Sequence, residues 1–209
     1  MKLASIIGSR LNWAAIALVL AAGLGLPSTL AHAETLTLSR SLTFEDWQGD
    51  VVRSSDFQGK WLLVYFGYTH CADLCPTGLS VLVNALDQIG PAAEHIQPLF
   101  ITIDPERDRG GLLRDFTRSF DNRLVGLSGT VAQIRDAADA LGVSFRKVAQ
   151  GNADYAIDHS SSYTLVDPAR TRAEVMRLAE PHLLAARLID TLARAGVPLD
   201  TVNNARAYR

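Results

Sequence analysis

Apolar runs of strand length alternate with helical patterns along most of the chain. Residues 61–66 are all apolar and predict a buried strand, and residues 96–103 predict a second one. Between these runs, apolar residues recur three or four positions apart, as they do on the buried face of a helix: Leu79, Leu82, Val83 and Leu86. A helix between two strands indicates a parallel βαβ unit, because parallel strands need a crossover connection.

Shorter patterns on either side complete the predicted architecture. Weak alternation over residues 34–52 predicts an N-terminal hairpin, and residues 143–148 and 155–157 predict a strand pair around a polar loop. Further strands are predicted at 124–127, 162–167 and 173–178, and further helices at 112–120, 131–141 and 181–196. We therefore expect an α/β fold: a central mixed β-sheet flanked by helices, with an N-terminal hairpin and an inserted β-hairpin. Because cysteines follow the first core strand directly, this arrangement is thioredoxin-like.

The N-terminal segment differs from the rest of the chain and predicts an export signal. Lys2 and Arg10 precede an apolar run at 13–26, and residues 31–33 have the small-x-small pattern that a signal peptidase cuts. The run is shorter than the roughly 20 residues that a membrane-spanning helix needs. We expect residues 1–33 to be a cleaved Sec signal peptide and the protein to be periplasmic. The alternative is an uncleaved segment that anchors it to the periplasmic face of the inner membrane.

The remaining chain is long enough for one domain with a sizeable core. Without Lys2 and Arg10, 18 of the 20 basic residues remain against 22 acidic ones, a formal net charge of −4. The basic residues are scattered, which argues against nucleic-acid binding. We predict one domain over residues 34–196, and a loosely ordered C-terminal tail over residues 197–209, which show no periodicity.

The two cysteines of the chain, Cys71 and Cys75, follow the first core strand closely. Pro76 suits the first turn of a helix, because its ring fixes φ and it has no N–H to leave unpaired. The thiols lie one turn apart on a helix, or Cys71 lies in the loop and the helix begins at Cys75. The unpaired N–H groups of a helix N-terminus stabilise thiolates, so we expect both thiols to ionise more readily than a free cysteine.

The cysteine spacing favours metal ligation or disulfide exchange over a structural disulfide, since closing so small a loop removes little unfolded-state entropy. Zinc normally takes four ligands, whereas thiolates favour Cu(I), which accepts two or three. A third ligand is available in His159, because the loop entering the strand at 162–167 approaches the cysteine turn in a thioredoxin-like sheet. A hydrogen-bonded loop histidine is the alternative interpretation. The weaker candidates are His70, His95 and His182.

Several segments together resemble the Sco/SenC family, in order across residues 42–192. They are Phe-Gly-Tyr-Thr-His-Cys-Ala-Asp-Leu-Cys-Pro at 66–76, Ile-Thr-Ile-Asp-Pro-Glu-Arg-Asp at 101–108, Leu-Ser-Gly-Thr at 127–130, Asp-His-Ser at 158–160 and Leu-Val-Asp-Pro at 165–168. Two positions depart from the family pattern. Ala72 replaces a proline, which removes one restraint on φ in the cysteine loop, and residues 167–170 replace a turn that glycine commonly closes.

The resemblance implies a thioredoxin-like fold in the periplasm or on the outer face of the inner membrane. It implies copper, as Cu(I) or Cu(II), bound by Cys71, Cys75 and His159. It also implies assembly of the dinuclear copper A centre of cytochrome c oxidase, whose copper-bearing subunit is the expected partner. Other periplasmic copper chaperones or thioredoxin-like reductases are further expected partners. Asp158 matches the family pattern, and we expect it to order the histidine loop through hydrogen bonds.

Two functions remain open within this resemblance. The first is a metallochaperone, which is not an enzyme. The alternative is a thiol–disulfide oxidoreductase that reduces the cysteines of the oxidase copper site, with Cys71 and Cys75 cycling between dithiol and disulfide. A peroxiredoxin-like peroxidase is disfavoured, because it needs Thr-x-x-Cys and Thr69 lies one residue too close to Cys71.

Overall fold

The computed structural model describes residues 34–151, 154–177 and 179–199. The predicted signal peptide, residues 1–33, and residues 200–209 of the predicted tail lie outside the described residues. Asn152 of the predicted polar loop and Leu178 of the last predicted strand also lie outside them. Within the described ranges, no helix has the length and apolar character needed to cross a membrane.

Strands and helices alternate along the described chain much as the apolar pattern predicts. The strands are β1 (Glu34–Thr37), β2 (Thr43–Glu45), β3 (Val51–Arg53), β4 (Trp61–Gly67), β5 (Ile96–Thr102), β6 (Val125–Leu127), β7 (Phe145–Ala149), β8 (Tyr155–His159), β9 (Tyr163–Val166) and β10 (Arg172–Met176). The helices are α1 (Leu74–Ile89), α2 (Gly111–Arg118), α3 (Val131–Ala140) and α4 (Pro181–Arg194), with 3-10 turns at Ser54–Asp56 and Gly90–His95.

A six-stranded mixed sheet in the order β1-β10-β9-β4-β5-β6 forms the centre of the molecule. The pairs β4–β5 and β5–β6 are parallel, whereas β9 runs antiparallel to both β4 and β10. The pair β7–β8 forms a separate two-stranded sheet, which is the predicted inserted hairpin. The expected α/β, thioredoxin-like fold with a central mixed sheet is therefore confirmed.

The N-terminal region is divided between two sheets, which corrects part of the prediction. Strands β2 and β3 form the expected hairpin, whose turn is closed by the Asp46 N–H donating to the carbonyl of Asp50 at 2.9 Å. Strand β1 instead pairs antiparallel with β10, with Leu36 opposite Ala173. This pairing satisfies the outer backbone groups of β10, which would otherwise form an open sheet edge.

The core surrounds β4, whose residues 62–66 are each at most 2% exposed. Helices α1 and α4 pack against each other, and their buried faces include Leu79, Leu82, Leu184 and Leu188. Full burial of such a side chain contributes about 1.5–3 kcal/mol to folding. The parallel strands β4 and β5 end at the same edge, where the Ile103 N–H donates to the carbonyl of Gly67 at 2.8 Å. The segments that follow both strands therefore meet at this edge.

Candidate metal centre

The loop after β4 presents Cys71 in a turn and Cys75 in the first turn of α1. The Cys71 N–H donates to the carbonyl of Tyr68 at 3.2 Å, and α1 begins at Leu74. The Cys75 N–H then points at Cys71 Sγ, 3.4 Å away. Of the two geometries left open by the sequence, the structure has Cys71 in the loop ahead of the helix.

Cys75 is fully buried, whereas Cys71 is partly exposed. Gly67 leaves room for the buried thiol, since a Cβ at this position would lie only 2.8 Å from Cys75 Sγ. Burial raises the pKa of the Cys75 thiol well above its ordinary value, and the neighbouring Cys71 adds to the increase. The expectation that both thiols ionise readily is therefore wrong for Cys75 in the metal-free protein, because desolvation outweighs the stabilising contacts.

His159 faces this thiol from the last position of β8. Its Nε2 lies 3.6 Å from Cys75 Sγ, and its Nδ1 lies 3.1 Å from the carbonyl oxygen of Ser160. A carbonyl only accepts, so Nδ1 carries the proton in this contact and Nε2 keeps its lone pair. Burial lowers the pKa of His159 below its ordinary value, against the opposing effects of the Ser160 contact and of Asp158. The imidazole is therefore neutral near pH 7 and free to bind a metal.

The sulfurs of Cys71 and Cys75 and a ring nitrogen of His159 all lie within 4.8 Å of one another. Two sulfurs and one imidazole form a donor set that suits copper, which binds thiolates and imidazoles well. Among the described residues, this is the one group of three or more cysteine, histidine or acidic side chains close enough to share an ion. A structural zinc site would normally have a fourth protein ligand.

Asp158 forms its side-chain hydrogen bonds across the hairpin that bears His159. Its carboxylate accepts from Arg146 at 2.9 Å across the β7–β8 hairpin, and both side chains are exposed. Successive residues of a strand point to opposite faces, so Asp158 points away when His159 faces the cysteines. The imidazole contacts the Ser160 carbonyl instead of this carboxylate.

The other histidine candidates lie outside the cluster of ligand atoms. His70 is half-exposed, and its Nδ1 lies 3.1 Å from the hydroxyl of Thr69. His95 is an exposed residue at the end of a 3-10 turn, and His182 is an exposed residue of α4. The preference for His159 over these three therefore agrees with the geometry.

Sequence reasoning missed Tyr68, which joins the two halves of the site. Its ring lies edge-on to the imidazole of His159, with 6.1 Å between the ring centroids. Its hydroxyl accepts a hydrogen bond from the Ile157 N–H at 3.4 Å. Since Tyr68 also accepts from the Cys71 N–H, one residue touches both the cysteine turn and the histidine strand. The sequence signal that could have identified Tyr68 is its position, since it is a polar aromatic residue directly after a buried strand.

The comparison with known families gives this site its context. The sequence model of the SCO1/SenC family matches residues 31–195. This chain belongs to the SCO1/SenC family. The family that the sequence motifs suggested is thus confirmed.

Relatives and solved structures extend the comparison of this SCO1/SenC protein. It is 34% identical over 157 residues to the mitochondrial SCO2 homolog of Bos taurus, covering 69% of this chain and 59% of that protein. It is 36% identical over 124 residues to a SCO2-like protein of Rickettsia prowazekii, covering 58% of this chain and 60% of that protein. The chain thus spans less than two thirds of the length of either relative.

Solved structures of similar proteins share the fold. Bradyrhizobium japonicum ScoI with copper bound superimposes with a TM-score of 0.65 at 33% identity, covering 73% of this chain and 98% of that one. Yeast Sco1 with copper bound gives a TM-score of 0.67 at 27% identity, covering 75% and 89%.

Proposed function

We propose that this protein binds a copper ion through Cys71, Cys75 and His159 and acts as a metallochaperone for the copper A centre of cytochrome c oxidase. The observation that carries the proposal is the meeting of the three ligand atoms within 4.8 Å. Further support comes from family membership and from the copper bound in the related Bradyrhizobium japonicum and yeast structures. The copper-bearing oxidase subunit is the proposed partner.

The burial of the ligands suits a carrier that holds its cargo and then releases it. Cys75 supplies a fully buried thiol, whereas the thiol of Cys71 and the imidazole of His159 are each half-buried. An incoming thiol or imidazole of a partner therefore reaches the site from the side of Cys71 and His159, away from the buried Cys75. Copper then passes by exchange of one ligand at a time, with the buried Cys75 released last.

The proposed place of action is the periplasm, after export by the segment at 1–33. The support is the order of basic residues, apolar run and small residues in that segment. Mass spectrometry of the protein isolated from the cell tests this. A mature N-terminus at Glu34 in the periplasmic fraction supports cleavage, whereas an intact N-terminus in the membrane fraction supports the anchored alternative.

Thiol–disulfide exchange is the second candidate function, and the proximity of the two sulfurs favours it. Both cysteines are free, and their sulfurs are close enough to approach each other. Cys71 would attack a partner disulfide and form a mixed disulfide, releasing one partner thiol. Cys75 would then displace the second partner thiol, leaving a Cys71–Cys75 disulfide and a reduced partner. This reaction does not require His159.

Deletion of the gene, with oxidase activity measured at low and high copper, separates the two functions. Copper delivery predicts low activity that added copper restores, and a His159→Ala gene that fails to complement at low copper. A Cys71→Ser gene should fail to complement at low copper whether the protein delivers copper or reduces thiols. It is therefore the reference for complete loss of function. Full complementation by His159→Ala, with no rescue by copper, would overturn delivery in favour of thiol reduction.

A further inference from the structure

The loop at residues 104–108, the Asp-Pro-Glu-Arg-Asp segment after β5, contains two carboxylates that are 0% exposed, Asp104 and Asp108. Asp108 holds the cysteine loop. It accepts from the Thr69 N–H at 2.8 Å and from the Thr69 hydroxyl at 2.6 Å, and also from the Thr102 hydroxyl at 2.7 Å. Thr69 lies two residues before Cys71, so Asp108 fixes the backbone from which that cysteine turn begins.

Asp104 holds the strand that bears the histidine. It accepts from the hydroxyl of Tyr155 at 2.8 Å and from Nε of Arg107. The guanidinium of Arg107 lies over the Tyr155 ring, 3.8 Å from its centroid. Tyr155 is the first residue of β8 and His159 is the last. The Asp104 N–H also donates to the Thr102 hydroxyl at 2.9 Å, and that hydroxyl donates to Asp108, so one threonine links both carboxylates.

The β7–β8 hairpin depends on contacts of this kind for its position. It forms a two-stranded sheet of its own, and within the described residues no ladder of strand hydrogen bonds joins it to the central sheet. Two further ion pairs tie the hairpin region to the same loop. Lys147 of β7 pairs with Glu106, and Asp154 pairs with Arg107 at 3.2 Å. The 104–108 loop therefore contacts both segments that supply the candidate ligands.

We propose that the 104–108 loop sets the distance between the two sulfurs and His159, with Asp108 and Asp104 as positioning residues for the cysteine loop and the histidine strand. The proposal rests on the proposed function, because it concerns the same copper site. Hydrogen bonds to a carboxylate are stronger than neutral ones, and Asp104 is fully buried, so its contact with Tyr155 is a major restraint on β8. Its loss frees the hairpin to move the imidazole away from Cys75.

Tyr155→Phe tests this, since it removes the hydroxyl and keeps the ring beneath Arg107. The control is Tyr163→Phe, which removes a buried hydroxyl that donates to the carbonyl of Gly78 at 2.9 Å but does not bridge loop and hairpin. In the metal-free protein, amide hydrogen exchange of β7 and β8 should be about tenfold faster in Tyr155→Phe, with β4 and β5 unchanged. In the Tyr163→Phe control, the amides of β7 and β8 should exchange as slowly as in the wild type.

Copper binding gives the second readout, with His159→Ala as the reference for loss of the imidazole. The Tyr155→Phe protein should bind copper up to about tenfold more weakly, and its Cu(II) form should show a weaker imidazole-nitrogen coupling in the EPR spectrum. Wild-type affinity and coupling in Tyr155→Phe would overturn the positioning role, and so would an equal loss in Tyr163→Phe. If His159→Ala binds copper like the wild type, the three-ligand site itself fails, which is a distinct result.

Discussion

Nε2 of His159 lies 3.6 Å from Sγ of Cys75, although 84 residues separate the two in the sequence. The fold creates this contact by placing the end of β4 beside the inserted hairpin. Each group lacks its charge in the metal-free protein, because burial raises the pKa of the thiol and lowers that of the imidazole. A cation that displaces the thiol proton finds two donors already in place.

The first prediction concerns the reactivity of the two thiols in the reduced, metal-free protein. Cys71 is partly exposed, whereas Cys75 is 0% exposed and its pKa is raised by burial. Since the thiolate is the nucleophile, iodoacetamide at pH 8 should modify Cys71 much faster than Cys75. Mass spectrometry of peptides after timed quenching measures both rates. In urea the two rates should converge, and equal rates in the folded protein would contradict the assigned burial.

The second prediction concerns the pH dependence of copper affinity. Because the pKa of Cys75 is raised, copper binding at neutral pH must displace at least its proton. The apparent affinity should therefore rise with pH, by about tenfold per unit for each proton displaced. The lowered pKa of His159 means that the imidazole adds no further slope at pH 7–8. Competition with a chelator of known protonation at pH 6, 7 and 8 measures the slope, and a flat profile would contradict the account.

The third prediction concerns the close packing of Gly67 against the site. A Cβ here would lie 2.8 Å from Cys75 Sγ and 2.8 Å from a ring carbon of Phe100. Gly67→Ala should therefore lower the free energy of unfolding by about 1–3 kcal/mol and weaken copper binding. Urea unfolding and copper titration measure the two effects. The matched control is Gly111→Ala, where the nearest atom to the new Cβ is 3.6 Å away on Arg114, and neither quantity should fall.

The fourth prediction concerns Arg170, whose φ of +59° is positive in the β9–β10 turn. Its guanidinium donates to the carbonyls of Phe57 at 2.6 Å, Asp167 at 2.7 Å, Ser54 at 2.8 Å and Lys60 at 2.9 Å. These bonds offset a backbone strain of about 1–2 kcal/mol. Arg170→Ala keeps the strain and loses the bonds, so it should destabilise the protein by about 2 kcal/mol or more.

Arg170→Gly separates strain from hydrogen bonding at the same position. It loses the same bonds but removes the strain, so it should be about 1 kcal/mol more stable than Arg170→Ala in urea unfolding. The turn lies at the opposite end of the sheet from the cysteine loop, so copper affinity should stay at the wild-type value in both variants. Equal stability of the two variants would show that the positive φ carries no strain.

The sequence predicts the parts of the site that have local signals. The apolar run of β4, the two cysteines and Pro76 lie within 16 consecutive residues, so the strand, the turn and the helix start were accessible from pattern alone. The preference for His159 comes from the family motif and from the expected position of its loop in a thioredoxin-like sheet. In the structure, His159 does lie close to the two cysteines. The structure places the residue in β8 instead of in a loop, because His159 pairs with Phe145 across the hairpin.

The remaining features depend on contacts between distant segments. The burial of Cys75 follows from its place in the hydrophobic core beside Gly67, and the cysteine motif itself does not predict it. The contact of Tyr155 with Asp104 spans 51 residues, and that of Tyr68 with Ile157 spans 89. Sequence patterns describe each segment by itself, so they do not predict contacts between segments this far apart. Arg146, the hydrogen-bond partner of Asp158, likewise lies on the facing strand of the hairpin, and the Asp-His-Ser motif does not identify it.

The most direct test of the central claim is copper titration of the reduced protein with matched histidine variants. If Cys71, Cys75 and His159 form one site, the wild type and the exposed-residue control His182→Ala should each bind one copper ion with the same affinity. His159→Ala should bind at least about tenfold more weakly, since loss of a ligand costs no less than loss of a residue that only orients one. Wild-type affinity and spectrum in His159→Ala would contradict the three-ligand site.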